Sequence, residues 1–220
     1  ITTTTKAKGS YTMANKTTRA LDTADYKRII EAIEKGFTYT ADDGKAHRFR
    51  ANRQLSVILQ VEANLGIRIG DVLNLRLADI VKDGKHRRLN ITEQKTGKTR
   101  RFTVRDDVYM FLRDFADDTK KGKNDLLFTA GKNNDRKVTE RAIQKQLAIV
   151  AAYIGIDGIS THSFRKLFAC RIYEKSNYDV RLVQELLQHA SISTTQRYLT
   201  VGSGKVENAL ADVADNLLIG

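Results

Sequence analysis

Apolar residues recur along this chain at two spacings, and the switch between them divides it into elements. Tyr26, Ile29, Ile30 and Ile33 follow helical spacing, with Asp22 or Thr23 placed to cap the helix and Gly36 to end it. Phe37 to Arg50, with Asp42-Asp43-Gly44 inside it, reads as a loop or short hairpin. From Asn52 to Leu65, the positions Leu55, Val57, Ile58, Leu59, Val61 and Leu65 predict a largely buried helix that Gly66 terminates. A second stripe through Ile69, Val72, Leu73, Leu77 and Ile80 predicts another helix, with Arg68 at its start and Asp71 in its first turn. The period then drops to two. Leu89 and Ile91, and later Phe102 and Val104, alternate with polar residues, while Asp83-Gly84 and Thr96-Gly97 supply the turns of a small antiparallel sheet.

Helical spacing resumes with Val108, Phe111, Leu112 and Phe115, and again, after Leu126-Leu127-Phe128 and a polar loop, with Ile143, Leu147 and Val150. Phe164, Leu167, Phe168 and Ile172 predict an amphipathic helix over 163–173, and His162 and Arg165, three apart, share its edge. Leu182, Val183, Leu186 and Leu187 mark a helix ahead of His189. Short helical segments are expected to hold Tyr198 and a tail carrying Val206, Leu210, Val213 and Leu217. Residues 1–19 carry little periodicity and read as a linker or arm, with folded structure starting near Leu21. Proline is absent, so helix boundaries rest on glycine and polar caps alone. The expected fold class is α+β, mainly α-helical with a small antiparallel β-sheet.

Composition narrows the function. A chain of 220 residues sustains a core without staples. Cys170, the single cysteine, permits no intrachain disulfide and sits in an apolar helical pattern as a small buried hydrophobe. No stretch approaches the roughly 18 apolar residues of a membrane span, and the N-terminus lacks an apolar signal region. A reducing, cytoplasmic setting with no membrane partner is expected. Thirty-eight Lys and Arg against 26 Asp and Glu give a formal charge of +12, which favours a polyanion. The basic residues are dispersed, as in Arg100-Arg101 and Lys85-His86-Arg87-Arg88, without a basic amphipathic helix, so nucleic acid fits better than a lipid surface. With aromatics at 7% and no tryptophan, duplex backbone fits better than stacked single strands.

Attacking a phosphodiester without a metal requires guanidiniums on the nonbridging oxygens, imidazoles to hydrogen-bond, a nucleophile, and an acid for the leaving oxygen. Arg68 and Arg165 each stand beside a predicted helix start, and arginine's planar fork suits phosphate. Asp71 either pairs with Arg68 or serves as an acidic residue in a first helical turn. Tyr198, nine positions after His189, is the candidate nucleophile. A phenol, with an ordinary pKa near 10, needs positive neighbours or a base to attack at neutral pH.

Asn64-Leu65-Gly66-Ile67-Arg68-Ile69-Gly70-Asp71, Gln94-Lys95-Thr96-Gly97-Lys98, His162-Ser163-Phe164-Arg165, Leu187-Gln188-His189 and Tyr198 stand in an order that resembles the catalytic domain of the tyrosine recombinases, or phage-type integrases. Each motif alone is weak; five in order are strong. The similarity covers about residues 20–200 and is nearest in shape to the integrase of a phage or integrative mobile element.

The resemblance implies the tyrosine recombinase catalytic-domain fold and a site-specific strand transferase that needs no cofactor and no metal. It implies that Arg68 and Arg165 bind the phosphate, that His162 assists proton movement at the nucleophile, and that His189 hydrogen-bonds the phosphate. Lys95 would protonate the departing 5′ oxygen, and Tyr198 would form a 3′-phosphotyrosyl link. Asp71 matches an acidic position supporting the first arginine. Lys98 shares the turn with Lys95, which matches the first lysine of the family's Lys-Thr-Gly turn. The implied partners are double-stranded DNA, further protomers of a homotetramer on that DNA, and accessory DNA-bending proteins.

The implied layout is a linker or arm over 1–19 and a catalytic domain over 20–220, with 199–220 as a C-terminal docking segment. The family's core-binding domain is absent, so the chain reads as a fragment. Two positions depart from the pattern: Gln188 stands where many relatives have glycine, and Gly70 where a polar capping residue is common. A type IB topoisomerase-like enzyme and a non-catalytic basic DNA-binding module are the competing readings. The Lys-Thr-Gly turn and His189 favour the recombinase.

Overall fold

The computed structural model describes residues 18–41, 43–131 and 136–199. The expected tail helix with Val206 to Leu217 lies outside them. Helix α1 (Thr23–Lys35) is capped by Asp22, whose carboxylate accepts the Asp25 N–H at 2.7 Å, and it buries Ile29, Ile30 and Ile33. Strands β1 (Phe37–Thr40) and β2 (Ala46–Phe49) form an antiparallel hairpin in which Phe37 faces Phe49, so the segment left between loop and hairpin is a hairpin. Phe37 stacks on Phe49 and on Tyr153, with ring centroids 4.8 and 3.8 Å apart.

Helix α2 (Arg53–Leu65) runs through the centre. Asn52 caps it, and its buried residues, from Leu55 to Leu65, occupy almost its whole circumference. Gly66 ends it in the left-handed region at φ 58°.

The next predicted helix breaks into three pieces. α3 covers only Ile69–Leu73, a 3₁₀ turn follows at Leu77–Asp79, and Ile80 belongs to strand β3 (Ile80–Asp83). The Asn74 side chain caps the Gly70 carbonyl at 2.6 Å, the Leu75 carbonyl accepts from Leu127 N–H at 3.0 Å, and the Asp79 carboxylate takes the Arg76 N–H at 2.8 Å. These bonds turn the backbone outward after one helical turn. Leu77 and Ile80 still reach the core, which is why their spacing mimics a continuing helix. Strands β4 (His86–Thr92) and β5 (Thr99–Val104) complete a three-stranded antiparallel sheet of order β3-β4-β5.

After α4 (Asp106–Asp118), a two-stranded ribbon β6 (Thr129–Ala130) and β7 (Arg136–Lys137) precedes α5 (Glu140–Ile154), which Thr139 caps. α6 (Thr161–Lys175) packs chiefly on α2. It departs from the one-sided stripe expected of it: Thr161, Ser163, Phe164, Arg165, Lys166 and Leu167 are all buried, while Ile172 is half-buried. The helix is packed on two sides, by α2 and by α7 (Val180–Leu187), so in its first turns His162 alone is more than marginally open. α8 (Ile192–Gln196) then folds back on α7.

Among the described residues the apolar interior is two bodies. The larger runs from Leu21 to Leu167, with α2 at its heart. The smaller holds Ala169, Val183, Leu187 and Leu199, with Phe168, Cys170, Ile172 and Tyr198 against it. Thr18 and Arg19, assigned from the sequence to the arm, contact the main body: Arg19 donates to the Gly158 and Asp157 carbonyls, and the Lys166 ammonium caps the Thr18 carbonyl. Among the described residues no helix is long and apolar enough to cross a membrane.

Candidate active site

The site forms where the C-terminus of α2, the start of α6 and the end of α7 meet. Arg165 is fully buried and spans the junction. One guanidinium nitrogen donates to the Gly66 carbonyl at 2.6 Å and another to the Leu187 carbonyl at 2.9 Å. It stands five residues into α6, one turn beyond the helix start expected for it. Gly66 is required twice over: φ is positive, and a Cβ there would stand 2.2 Å from the Phe168 ring.

Arg68 is the residue that caps the start of α3, as expected, but its partner is not Asp71. The guanidinium pairs with Glu93, while Asp71 Oδ1 accepts the Gln94 N–H at 3.0 Å and Oδ2 is buried without a partner. Burial pushes the Asp71 carboxyl above its ordinary range, the Gln94 N–H opposing. Asp71 therefore braces the strand that leads into the lysine turn.

His162 lies on the first turn of α6, and its Nε2 is hydrogen-bonded to the Tyr198 hydroxyl. The rings stand edge to face, with centroids 4.9 Å apart. Burial, and then the charges of Arg165, Lys166, Arg68 and Lys95, push His162 down to about 4. Burial raises the Tyr198 phenol, with Arg165 pulling the other way. Both groups are thus neutral at neutral pH, and the arrangement that satisfies both has the phenol donating to an unprotonated Nε2. His189 packs its ring 4.7 Å from that of Tyr198 and is likewise pushed down to about 4, by burial first and by Arg165 next. Its Nδ1 meets the hydroxyl of the fully buried Thr195 at 3.0 Å, which leaves Nε2 as the ring nitrogen for any further partner. Tyr198 follows the last turn of α8, and the Lys166 ammonium lies 5.6 Å from its ring centre.

Lys95 and Lys98 occupy the exposed turn between β4 and β5. The Glu93 N–H donates to the Lys98 carbonyl, the Gly97 N–H to the Glu93 carbonyl, and the Thr96 hydroxyl to the Glu93 carboxylate at 2.7 Å. Lys95 is near enough for its charge to act on His162. Lys98 lines an open cleft of about 390 Å³ with Arg181, Gln184, Glu185, Gln188 and His189.

His162, Arg165, His189 and Tyr198 therefore meet directly, Arg68 and Lys95 act on them through charge, Asp71 stands behind, and two unpredicted residues join the site. Glu93 is fully buried and Arg100 is 2% exposed. Arg100 donates to Glu93 at 3.3 Å, to the Gly66 carbonyl at 3.2 Å and to the Leu186 carbonyl. Burial, then the Arg165 charge, lowers Arg100 to about 10, which leaves it charged at neutral pH. Burial raises Glu93, but the Thr96 hydrogen bond and the two arginines outweigh it and hold the carboxyl below its ordinary range. A sequence signal for both existed. Glu93 continues the inward parity of Leu89 and Ile91, and Arg100 begins that of Phe102 and Val104, so two opposite charges fall on one apolar sheet face.

A mainly helical body whose three-stranded sheet delivers a lysine turn toward two arginines, two imidazoles and a phenol has the layout of a tyrosine recombinase catalytic domain. The chain belongs to the phage integrase family, whose model matches residues 19–203. It is 28% identical over 193 residues to the tyrosine recombinase XerD of Rickettsia prowazekii (strain Madrid E), covering 82% of this chain and 60% of that protein. It is 30% identical over 172 residues to the probable integrase/recombinase YoeC of Bacillus subtilis (strain 168), covering 78% and 88%. Among solved structures, XerH recombinase bound to a palindromic difH substrate in a post-cleavage complex superposes with a TM-score of 0.65 at 22% identity, over 90% of this chain and 54% of that one. The Tn1549 transposon integrase in complex with transposon right-end DNA superposes with a TM-score of 0.60 at 13% identity, over 88% and 65%. The chain thus spans about 60% of the length of the Rickettsia relative and little more than half of the XerH chain.

Proposed function

We propose that this chain is the catalytic part of a site-specific DNA recombinase, acting on duplex DNA through a covalent 3′-phosphotyrosyl intermediate. The observation that carries the reading is the Tyr198 hydroxyl seated on His162 Nε2 with Arg165 beside it. In the proposed reaction the phenol oxygen bonds to phosphorus and its proton passes to His162, a neutral acceptor already in place. Arg68 and Arg165 hold the nonbridging oxygens, and His189 adds a hydrogen bond through Nε2. The P–O bond to the 5′ oxygen breaks, and Lys95 supplies the proton that the leaving oxygen takes up. A 5′ hydroxyl from a second strand reverses each step, so the phosphodiester is conserved without metal or nucleotide.

Four protomers on two duplexes, accessory DNA-bending proteins, and action at the nucleoid in the cytoplasm complete the proposal. So does the division into an arm over 1–19 and a catalytic domain over 20–220 with its docking segment at 199–220.

The test uses nicked suicide duplexes tiled across the DNA adjoining the gene for this chain. The wild-type chain should give a protein–DNA adduct stable to denaturation on at least one duplex, and Tyr198→Phe should give none. Absence of adduct across the whole tile, or an adduct that survives in Tyr198→Phe, overturns the proposal. Plasmid relaxation with no strand exchange between two copies of the reactive duplex moves the assignment to a topoisomerase.

A further inference from the structure

Arg165 and Arg68, placed together at the site, are held in unlike ways. Arg165 is anchored by two neutral backbone carbonyls, of Gly66 and Leu187. Arg68 is anchored by a carboxylate, and that carboxylate is shared: Glu93 takes Arg68 on Oε2, Arg100 on Oε1, and the Thr96 hydroxyl on Oε2. Arg100 reaches from Glu93 to the same Gly66 carbonyl that Arg165 uses, and on to the Leu186 carbonyl beside Leu187. One buried ion pair therefore touches three of the pieces of backbone that carry site residues: the turn before Arg68, the turn holding Lys95, and the end of α7 ahead of His189.

We infer that Glu93 and Arg100 are positioning residues for this site, with Glu93 setting the reach of Arg68 and Arg100 locking the lysine turn to the end of α7. The inference rests on the recombinase reading above. Three guanidiniums, of Arg68, Arg100 and Arg165, act on one another's charge here, and all three interactions oppose a third positive charge. Glu93 is the buried anion between two of them. Without it, Arg68, whose side chain is 23% exposed, is free to swing toward solvent. Phosphate affinity would not suffer, since a negative charge near an anion site has been removed; orientation would. A clamp misaligned by about 1 Å costs on the order of 10²-fold in rate.

The experiment compares wild type with Glu93→Gln, which keeps the shape and removes the charge, and Arg100→Lys, which keeps the charge and loses the fork. Each is tested on the duplex of the tile that gives most adduct. Affinity is measured for the same duplex in a Tyr198→Phe background, and a thermal melt checks folding. Glu93→Gln should form adduct at least 10-fold more slowly while binding that duplex equally or more tightly. A duplex with a methylphosphonate at the scissile position carries no charge for Arg68 to neutralise, and there the defect should shrink below threefold. Arg100→Lys should slow adduct formation at least 10-fold on both duplexes.

Adduct within twofold of wild type in Glu93→Gln overturns the inference. So does a rate loss matched by lost affinity and a lowered melt, or one of equal size on the methylphosphonate. If the wild-type chain itself forms no adduct, the recombinase reading fails instead.

Discussion

The two apolar bodies of this protein carry different halves of the site. The main body, centred on α2, holds Arg68, Glu93 and the start of α6, and its interior is a continuous set of fully buried aliphatic and aromatic side chains. The satellite body holds Tyr198 and His189 on four buried residues and a fringe of half-buried ones. What joins them, besides α6 itself, is polar. Arg165 donates to the Leu187 carbonyl, Arg100 to the Leu186 carbonyl, and the Gln188 amide to the Thr99 carbonyl at 3.1 Å. Two of those tethers are guanidiniums, Arg165 in the candidate site and Arg100 behind it, so groups that build the site also fix where the phenol arrives. The half that holds Arg68 and Glu93 is rigid by burial, and the half that holds Tyr198 is rigid by charge-assisted hydrogen bonds to the end of one helix.

Truncation of one side chain in each body separates the two most sharply. Leu59→Ala in α2 and Leu187→Ala in α7 both delete a fully buried side chain, each at about 2–5 kcal/mol. Leu59→Ala should appear in the global melt, with amide exchange accelerated throughout. Leu187→Ala should leave α1, α2 and the sheet protected, accelerate exchange in α7 and α8, and lower adduct yield more than it lowers the melting temperature. Uniform acceleration in both variants would dissolve the distinction between the bodies.

The tethers come next. Arg165→Lys keeps the charge but cannot bridge the Gly66 and Leu187 carbonyls with one planar fork. Adduct formation should fall on the order of 10²-fold, as for a clamp misplaced by about 1 Å. The melt should fall less than in Leu59→Ala. An Arg165→Lys chain that reacts at the wild-type rate would show that charge alone, and not the bridge, sets the site.

The division into two bodies left no mark in the sequence, but most of the elements and of the candidate site were legible there. Apolar spacing located α1, α2, α4, α5 and α7, the paired turns located the three-stranded sheet, and five short motifs named Arg68, Lys95, His162, Arg165, His189 and Tyr198, which the fold brings together. The failures share a cause. Leu77 and Ile80 keep a helical interval while lying in a 3₁₀ turn and a strand, because periodicity records which residues face the core and not the path between them. A counter-ion for Arg68, three residues away, was one of two readings of Asp71, yet the sheet brings Glu93 from 25 residues away. Arg100 bonds mainly to backbone carbonyls, which leave no trace in side-chain identity.

Acid should loosen the satellite before the main body. Both imidazoles at its border are pushed down to about 4 from an ordinary 6.5. Below pH 6.5 the unfolded chain binds protons that the folded one refuses, so their contribution to stability is full above 6.5 and declines as pH falls toward 4. Glu62 and Asp71, which burial pushes up, act in the opposite sense. The measurement is therefore a difference: melts from pH 7.5 to 4.5 should fall more steeply for wild type than for His162→Gln/His189→Gln. Parallel curves would remove the imidazoles from the account.

The smallest effect expected concerns the third tether. Gln188 occupies the left-handed region at φ 52° and ψ 39°, a conformation that glycine adopts without strain. That conformation costs a non-glycine residue about 1–2 kcal/mol, against which the Gln188 amide sets one hydrogen bond to the Thr99 carbonyl, worth about 0.5–1.5 kcal/mol. Gln188→Ala keeps the strain and loses the bond, and should lower stability by about 1 kcal/mol. Gln188→Gly loses the bond but relieves the strain, at the expense of a more flexible unfolded chain, and should match wild type within about 0.5 kcal/mol. If glycine proves as costly as alanine in the melt, the side-chain tether and not the backbone turn is what holds α7 to the sheet. His189 is then oriented by β5 as much as by its own helix.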